Sequence, residues 1–396
     1  MIPAGDWTLD IGGVVNAYYT STRQSGTNAA GNPLGNSPLG LTNDAGKTTA
    51  NITTGLLPNY LSVSGKTRQN DLDVGFTISI NPGASTTRAG IQNQASLGGN
   101  QENRQAFLTF GDKSWGSIKL GKDLGIYASD AILNDMTLLG VGSGAGHLAG
   151  NTTTLGRIGT GFMYADWKSQ VAYSSPNWNG FSFTGGVTQA WNAFDATSNL
   201  RAATTTERGG ASPAFEGKAS YEWAGDFGGK VWVSGITQKV KGLTDTLGNK
   251  KNDRADSVDI GATVNVAGFG LTGYYYTGEG IGQTVQLNGG FDNDGKARDS
   301  DGYYVQATYT IPTVGTKLGL SYGRSNLDHN SSGADANNPD LSDSMWTIGA
   351  YHPITKHLNL VAEYSDAKTK TKNSTGGLLD ATGKGKTISL GGILFF

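Results

Sequence analysis

The stretch KTISLGGILFF (residues 386–396) alternates strictly and ends on two aromatic residues. Every second residue counted back from Phe396 belongs to one face, which is apolar except for a glycine. That face carries Ile388, Leu390, Gly392, Leu394 and Phe396. Side chains of a β-strand point alternately to its two faces, so this pattern predicts a strand with one apolar face. Such a face needs an apolar environment, and the rest of the sequence decides which one.

The same period of two recurs along the whole chain. Residues 7–19 place Trp7, Leu9, Ile11, Val15, Ala17 and Tyr19 on one face. Residues 72–80, 258–266 and 303–311 repeat the pattern with Asp, Thr, Ser, Asn and Gln on the opposite face. No run of about 18 apolar residues is present, so a membrane-spanning helix is excluded. The sequence therefore predicts an all-β protein.

Short and long connections alternate between the predicted strands. Short turns are expected near residues 67–71, 111–116, 177–180, 224–229, 267–270, 312–315 and 355–357. Long polar loops are expected near residues 21–58, 82–102, 123–154, 192–213, 241–256, 280–301, 325–342 and 372–384. Seven short turns and eight long loops separate sixteen strands.

Sixteen strands with one apolar and one polar face could form a soluble double sheet or a closed barrel in a membrane. Short loops at one rim and long loops at the other are typical of outer-membrane barrels, and aromatic residues lie near the strand ends, as interfacial girdles require. An open sheet edge in lipid would leave backbone groups unpaired, so the strand ending at Phe396 must pair with the strand beginning at Trp7. We predict a 16-stranded antiparallel transmembrane β-barrel with short periplasmic turns and long extracellular loops, forming a single domain over residues 1–396.

Composition agrees with this prediction and excludes other classes. Glycine makes up 61 of 396 residues, hydrophobic residues are only 36%, and cysteine is absent. The 30 basic and 32 acidic side chains are spread along the chain, so a nucleic-acid partner is not expected. Residues 1–20 lack the pattern of a secretion signal, and we expect them to form a mature N-terminus.

Three stretches carry a family resemblance. They are DWTLDIGGVVNAYY (6–19), SIKLGKDLGIYASDAILNDMTLLG (117–140) and LGRIGTGFMYADWKSQVAYSSPNWNGFSF (155–183). With the final Phe396, they resemble the general-diffusion porins of Gram-negative outer membranes, especially those of β-proteobacteria. The resemblance implies a homotrimer in the outer membrane, in contact with lipid and lipopolysaccharide. It also implies a third loop, residues 123–154, that folds inward to narrow the pore, and recognition of Phe396 by the barrel-assembly machinery.

The resemblance also implies a set of pore residues. Lys122 in LGKD and Arg157 in LGRIG match basic positions on the pore wall. The acidic partners implied on the third loop are Asp123, Asp130 and Asp135. Tyr60 stands where the family often has a further wall arginine, which argues against a strong anion preference.

Alternation supports part of this assignment. If strand six begins with Ile158, Thr160, Phe162 and Tyr164 on one face, Arg157 points into the lumen, and a bulge near residues 165–170 reconciles the later residues. Lys122 is ambiguous, because Ile118 and Leu120 place it outside unless Gly121 re-aims the strand. By the same alternation Lys119 faces the lumen.

Two further stretches resemble ligand-binding motifs but lack the features that such sites need. DNDGKARDSD (292–301) lacks the ligand spacing of a calcium loop, and GVGSGAGHLAG (140–150) lacks the context of a phosphate site. The four His residues are scattered, so no metal site, cofactor or catalytic group is expected and the protein is not predicted to be an enzyme. We predict a water-filled channel for passive diffusion of ions and small hydrophilic solutes. A substrate-specific channel and a surface-adhesion barrel remain the alternatives.

Overall fold

A computed structural model describes residues 2–27, 39, 48–85, 101–147, 153–191, 212–245, 247–292, 294–330, 340–372 and 381–396. It contains sixteen barrel strands, two of them interrupted. In chain order they are β1 (Trp7–Thr27), β2 (Thr48–Thr53 and Tyr60–Gln69), β3 (Leu72–Pro82), β4 (Gln101–Glu102 and Ala106–Asp112), β5 (Gly116–Leu124), β6 (Trp167–Ser174), β7 (Phe181–Thr188), β8 (Ala214–Trp223), β9 (Phe227–Thr244), β10 (Lys250–Val266), β11 (Phe269–Glu279), β12 (Asp299–Thr310), β13 (Lys317–Leu327), β14 (Asp340–Pro353), β15 (Leu358–Lys372) and β16 (Ala381–Phe395).

Each strand pairs antiparallel with the next one, and β16 pairs with β1, so the barrel is closed. The seam begins where Val14 faces Phe395. Beyond it, Phe396 exchanges two backbone hydrogen bonds with Gly13, at 3.0 and 3.1 Å. The earlier part of β1 pairs instead with residues Ile2–Ala4, which fold back beside it. The final aromatic residue therefore closes the hydrogen-bond ladder, as closure in lipid requires.

The apolar faces point outward. Ile388, Leu390 and Leu394 of the opening stretch are exposed on the outer surface, whereas Ser389 and Thr387 are buried inside the barrel. The same arrangement holds in the other segments whose faces were predicted, where Ile11, Val15, Ile78, Val258, Ile260 and Val305 are exposed. The lipid-facing surface is thus apolar and the interior is polar, as expected for a membrane barrel.

The short turns occur where they were predicted. Two of them show why the sequence turns there: Asn70 and Asp71 have φ angles of 49° and 63°, and Ala267 and Gly268 have φ angles of 48° and 83°. Two consecutive residues with positive φ form the tight hairpin turn that matches the twist of antiparallel strands. Asn, Asp and Gly tolerate this conformation best.

Two sequence predictions about the connections are wrong. Residues 241–256 do not form a long loop, because β9 and β10 continue as a paired ladder to Thr244 and Lys250. Strands of a barrel can continue beyond the membrane into water, where outward polar side chains need no lipid contact. Polar residues therefore do not distinguish such a strand extension from a loop. Residues 158–164 do not open strand six, which begins at Trp167. No helix in the described part of the chain is long and apolar enough to cross a membrane.

Candidate pore constriction

The connection between β5 and β6, residues 125–166, folds into the barrel and is called loop 3 here. It contains a short helix at Ser129–Leu133 and a 3-10 turn at Met136–Leu139. A small hairpin pairs Ser143–His147 with Thr154–Gly156, and residues 148–152 lie outside the described part. The inward course that was predicted for residues 123–154 therefore extends through the return segment as far as residue 166.

Two wall carboxylates hold loop 3 at separate points. Glu216 on β8 accepts hydrogen bonds from the backbone N–H groups of Ile126 and Tyr127, at 2.8 and 2.9 Å. Its other oxygen accepts from Thr188, at 2.8 Å, and from the buried ammonium of Lys168. A carboxylate that receives several donors satisfies backbone groups that would otherwise be buried and unpaired.

The second carboxylate is Glu363 on β15. The backbone N–H groups of Val141 and Gly142 donate to its Oε2 atom, at 2.7 and 2.9 Å, and the hydroxyl of Tyr351 donates to Oε1, at 2.6 Å. A Cβ atom on Gly140 would lie 2.1 Å from Oε1, so only glycine fits at this close approach. Glu363 is 4% exposed. Loop 3 therefore holds the carboxylate in position, and the carboxylate in turn holds the loop against β15.

Neutral side chains add further contacts between loop 3 and the wall. The hydroxyl of Tyr304 on β12 donates to the Ala131 carbonyl at 2.9 Å, and that of Tyr18 on β1 donates to the Leu139 carbonyl at 2.7 Å. The backbone of residues 54–59, which interrupt β2, also reaches the loop, since the N–H of Leu56 donates to the Gly140 carbonyl at 2.8 Å. Loop 3 is therefore held from several sides of the barrel.

An apolar cluster fills the space between loop 3 and one part of the wall. From the loop come Tyr127, Ile132, Ile158, Phe162 and Met163, and from β9, β11 and β12 come Trp232, Tyr274, Tyr276 and Tyr304. A hydrophobic core inside the lumen of a membrane barrel was not predicted. It stabilises the inward position of the loop in the same way as burial stabilises a soluble domain.

The inner wall is covered unevenly as a result. At mid-height, inward residues of β10, β11, β13 to β16 and β1 are mostly buried beneath loop 3. Inward residues of β2 to β5, β7 and β8 remain partly exposed, among them Ser62, Thr77, Thr109, Lys119, Thr184 and Lys218. On β9, Lys230 is partly exposed, whereas Trp232 and Ile236 are buried against the apolar cluster. The uncovered wall is polar and lies opposite the apolar cluster, so the space available to water is displaced to one side.

Asp130 of loop 3 meets two lysines on the uncovered wall. Its two carboxylate oxygens lie 3.0 Å from Nζ of Lys218 on β8 and 2.7 Å from Nζ of Lys230 on β9. Burial raises the pKa of the Asp130 carboxyl, but the two ammonium groups lower it further, so the net pKa lies below its ordinary value. The ion pairs therefore persist above the ordinary carboxyl pKa and are lost as the pH falls through the lowered value.

Lys119 and Asp123 form a second pair on the inner face of β5. Their side chains are in direct contact, and the Asp123 carboxylate also accepts from Nε2 of Gln105 at 3.0 Å. Nζ of Lys119 lies 4.8 Å from the ring centre of Phe107, which also faces the lumen. The side chain of Lys119 is 30% exposed, compared with 12% for Asp123, so the cation is the more accessible member of the pair.

Asp135 and Arg157 lie together in a dry environment. Nε of Arg157 is 3.9 Å from Asp135, and both side chains are fully buried. One guanidinium nitrogen of Arg157 donates to the Met345 carbonyl at 3.0 Å, and another contacts Ser321. Asp135 caps the 3-10 turn by accepting from the backbone N–H of Thr137 at 2.9 Å. Arg157 therefore joins loop 3 to β13 and β14 and does not line open lumen on a strand.

Lys122 and Tyr60, the two remaining residues assigned to the pore wall, lie on opposite faces of the barrel. The placement of Lys122 on the pore wall is wrong, because the ladder passes through Gly121 without a shift and pairs Lys122 with Ala106 on the outer face. Its ammonium donates to the Asn103 carbonyl at 2.8 Å. Tyr60 is on the inner face, where it packs on the cluster that joins loop 3 to β1, β14, β15 and β16.

Replacing Arg157 with methionine is expected to destabilise the barrel without changing its ion selectivity. The substitution leaves Asp135 and the Met345 carbonyl buried without their cation, and removing one member of a buried pair typically costs about 3 to 5 kcal/mol. Stability is measured as the temperature at which the folded band is lost in a gel, and ion selectivity is measured as the reversal potential in planar bilayers. A shifted reversal potential in a variant of normal stability would return Arg157 to the pore.

Sequence reasoning missed Lys218, Lys230, Glu216 and Glu363. All four have the inward position in strands whose alternation is regular, so parity marks them as lumen residues. Parity does not reveal that loop 3 lies against them, since that contact joins residues about 90 to 220 positions apart.

Beneath loop 3, a polar cavity of about 680 Å³ is lined by Asn134, Thr263, Gln306 and Lys317, among others.

Metal coordination receives no support from the part of the chain that the structure describes. No group of three His, Cys, Asp or Glu residues in those ranges could hold a metal ion.

The family model described as Gram-negative porin matches residues 4–372 of this chain. The chain belongs to the Gram-negative porin family. This porin is accordingly an outer-membrane channel for passive diffusion, and the fold and localisation predicted from its sequence are confirmed. A comparison with curated proteins found no match.

Several solved structures share the fold of this porin at low sequence identity. The outer membrane channel DcaP of Acinetobacter baumannii has a TM-score of 0.64 at 16% identity, covering 98% of this chain and 99% of that one. The anion-selective porin from Comamonas acidovorans has a TM-score of 0.58 at 14% identity, covering 98% and 100%. OmpT of Vibrio cholerae in its trimer form has a TM-score of 0.55 at 13% identity, covering 97% and 99%.

Proposed function

We propose that ions and small hydrophilic solutes cross this porin between loop 3 and the inner wall of β2 to β8, with Lys230 of β9 at its edge. The uneven covering of the inner wall supports this path, because apolar packing closes the opposite side. Residues 1–396 act as one domain in this proposal, with residues 123–154 as the main part of the constriction. The protein binds no cofactor for this task and is not an enzyme, since a fixed aqueous path needs no chemical step.

The selectivity of this path depends on Asp130 and its two lysines. Lys218 and Lys230 have 26% and 22% of their side chains exposed, whereas Asp130 has 5%. Lys119 adds another accessible cation, while Asp123 is largely covered. Glu222 on β8, with 55% of its side chain exposed, also pairs with Lys230 at 3.0 Å. Charge rings at a constriction tune ion selectivity, and three accessible ammonium groups beside one well-exposed carboxylate favour anions. The fold is shared with an anion-selective porin from Comamonas acidovorans, which agrees with this direction.

Two measurements test the diffusion function. Proteoliposomes that contain the porin should swell in small neutral sugars at rates that fall with sugar size. In planar bilayers, a salt gradient should give a reversal potential of anion-preferring sign. Absence of swelling would favour an adhesion barrel, and conductance that saturates and is blocked by one solute would favour a substrate-specific channel.

A specific feature keeps the substrate-specific channel as a second candidate. Leu133, at the end of the loop 3 helix, is 55% exposed, and Leu138 and Leu139 border the cavity below the loop. Apolar side chains beside a polar path can bind the apolar part of an amphipathic solute. Competition between such solutes in the swelling assay distinguishes this candidate from simple diffusion.

The assembly partners follow from the family and the closing strand. We propose a homotrimer in contact with outer-membrane lipid and lipopolysaccharide, consistent with the trimer form of OmpT from Vibrio cholerae. Phe396 is proposed to be read by the barrel-assembly machinery before it pairs with Gly13. Cross-linking and native mass spectrometry of the purified oligomer would test the trimer.

A further inference from the structure

The cavity beneath loop 3 has a ceiling and a wall of different chemical character. Loop 3 forms the ceiling and contributes apolar residues, among them Met136, Leu138 and Leu139. Strands β10 to β13 form the wall and contribute amide and hydroxyl side chains, among them Gln306, Thr308 and Thr310. The short turns at residues 225–226 and 267–268 also border the cavity, so it lies on the periplasmic side of the constriction.

Gln306 on β12 holds the ceiling against the wall. Its amide Nε2 donates to the Asn134 carbonyl at 3.1 Å, and its Oε1 accepts from the backbone N–H of Met136 at 2.6 Å. On the neighbouring strand β13, a Cβ atom on Gly319 would lie 2.7 Å from Sδ of Met136. The apolar ceiling therefore begins directly at the inner face of β13.

Lys317 is the inward residue that precedes Gly319 on β13. Leu318 and Leu320, on the opposite parity, are exposed on the outer surface. Residues two positions apart in a strand are separated by roughly 7 Å, so Lys317 lies one step below the contact between Gly319 and Met136. Its Nζ is 5.3 Å from the ring centre of Tyr351, the residue that it faces on β14. The aromatic ring holds the ammonium beside the cavity.

The charge of Lys317 is uncompensated. Among the residues that the structure describes, Lys317 has no hydrogen-bond or ion-pair partner. Two carboxylates border the cavity, and neither forms an ion pair with Lys317: Asp135 is buried beside Arg157, and Asp226 lies on the turn between β8 and β9. An ammonium below an apolar ceiling attracts an anion more strongly than it would in bulk water.

We propose that this cavity binds small aliphatic carboxylates on the periplasmic side of the constriction. The carboxylate accepts hydrogen bonds from the ammonium of Lys317 and from the hydroxyl of Thr310, which faces Lys317 on β12. The hydrocarbon chain lies against Met136 and Leu138. A volume of about 680 Å³ is typical of small-molecule sites.

The proposal rests on the proposed diffusion function, because solutes reach the cavity through the lumen. It adds a solute class to the substrate-specific candidate, namely organic anions that carry one carboxylate on a short apolar chain. Ammonium and carboxylate groups form charge-assisted hydrogen bonds, and the apolar ceiling favours a chain over a fully hydrated ion.

Hexanoate tests the site, because it combines a carboxylate with a short apolar chain. In planar bilayers, hexanoate should interrupt the chloride current of the oligomer reversibly, whereas acetate and hexanol at equal concentration should not. In Lys317→Gln, half-maximal block should need at least about tenfold more hexanoate, since a hydrogen bond to a charged group contributes about one power of ten or more. The matched control is Lys356→Gln, which removes an exposed lysine from a periplasmic turn outside the cavity and should be blocked normally.

A second measurement reports binding without relying on the current. The chain contains no cysteine, so Thr308→Cys introduces a single thiol into the wall of the cavity. Hexanoate should slow the reaction of this thiol with a water-soluble thiol reagent severalfold, and acetate should not. Adding Lys317→Gln to Thr308→Cys should remove the protection.

Heat-modified gel mobility establishes that each variant is folded. Equal block and equal protection in folded Lys317→Gln variants would overturn the proposal. Equal effects of acetate or hexanol would overturn its choice of an amphipathic anion. An oligomer that conducts chloride but is neither blocked nor protected by hexanoate would overturn this site alone, whereas an oligomer without conductance would overturn the diffusion function.

Discussion

Replacing Lys218 and Lys230 with glutamine should shift the reversal potential in a salt gradient toward cations. The two ammonium groups are partly exposed beside the path, and Asp130 would remain as an uncompensated carboxylate. A unit charge about 4 Å from a passing ion is worth roughly 1 kcal/mol in water. We therefore expect the anion-to-cation permeability ratio to fall about fivefold to thirtyfold, measured on single porin oligomers in planar bilayers.

Matched variants separate this local effect from a general change of charge. Lys122→Gln removes an outward lysine and should leave the reversal potential unchanged. Asp130→Asn should shift it toward anions, because Lys218 then loses its ion-pair partner and Lys230 keeps only Glu222, at 3.0 Å. If the double lysine variant keeps the wild-type potential while its unit conductance is normal, the solute path does not pass Asp130, and the proposed course along β2 to β8 is wrong.

Replacing Glu363 with alanine should release one end of loop 3. The variant leaves the N–H groups of Val141 and Gly142 without their acceptor, and a hydrogen bond to a charged group contributes roughly 1.5 to 3 kcal/mol. The porin should then show a larger and noisier unit conductance, because the loop can leave the path. The folded band should also be lost at a lower temperature in a gel.

Two comparisons make this result specific. Asp366→Ala lies on the same strand but on the outer face, and it should leave conductance unchanged. Glu216→Ala removes the other anchor and should resemble Glu363→Ala. The buried ammonium of Lys168 would then keep only the uncharged amide of Gln286, at 2.7 Å, so the loss of stability should be greater. Quiet, wild-type conductance in Glu363→Ala would show that the apolar cluster alone holds loop 3 in place.

The position of the pore residues could be predicted in part. Alternation placed Lys119 on the inner face, and it also favoured the outer face for Lys122, which the family resemblance placed in the pore. A strand ladder repeats every two residues, so local sequence decides which face a residue occupies. The family match could not decide it, because similar short motifs tolerate a shift of one residue and such a shift moves a side chain to the opposite face.

Loop 3 marks the limit of sequence reasoning. Residues 155–164 alternate well enough to resemble a strand, yet they lie against β12 and β13 inside the barrel, with Gly159 and Gly161 at φ angles of 81° and 142°. Those angles are incompatible with a regular strand, and glycine adopts them without strain. The pattern of apolar residues was real, but the surface that they contact is the inner wall and not lipid.

The sequence by itself determined the barrel: its alternation, its turn residues and its alternating loop lengths are local features that only a closed sheet in lipid satisfies. The tertiary structure alone decided the constriction, since Glu216, Glu363, Lys218 and Lys230 acquire their roles from a loop far away in the chain. Strand alternation is encoded between neighbouring residues, whereas the position of a folded-in loop depends on contacts that no short stretch of sequence contains.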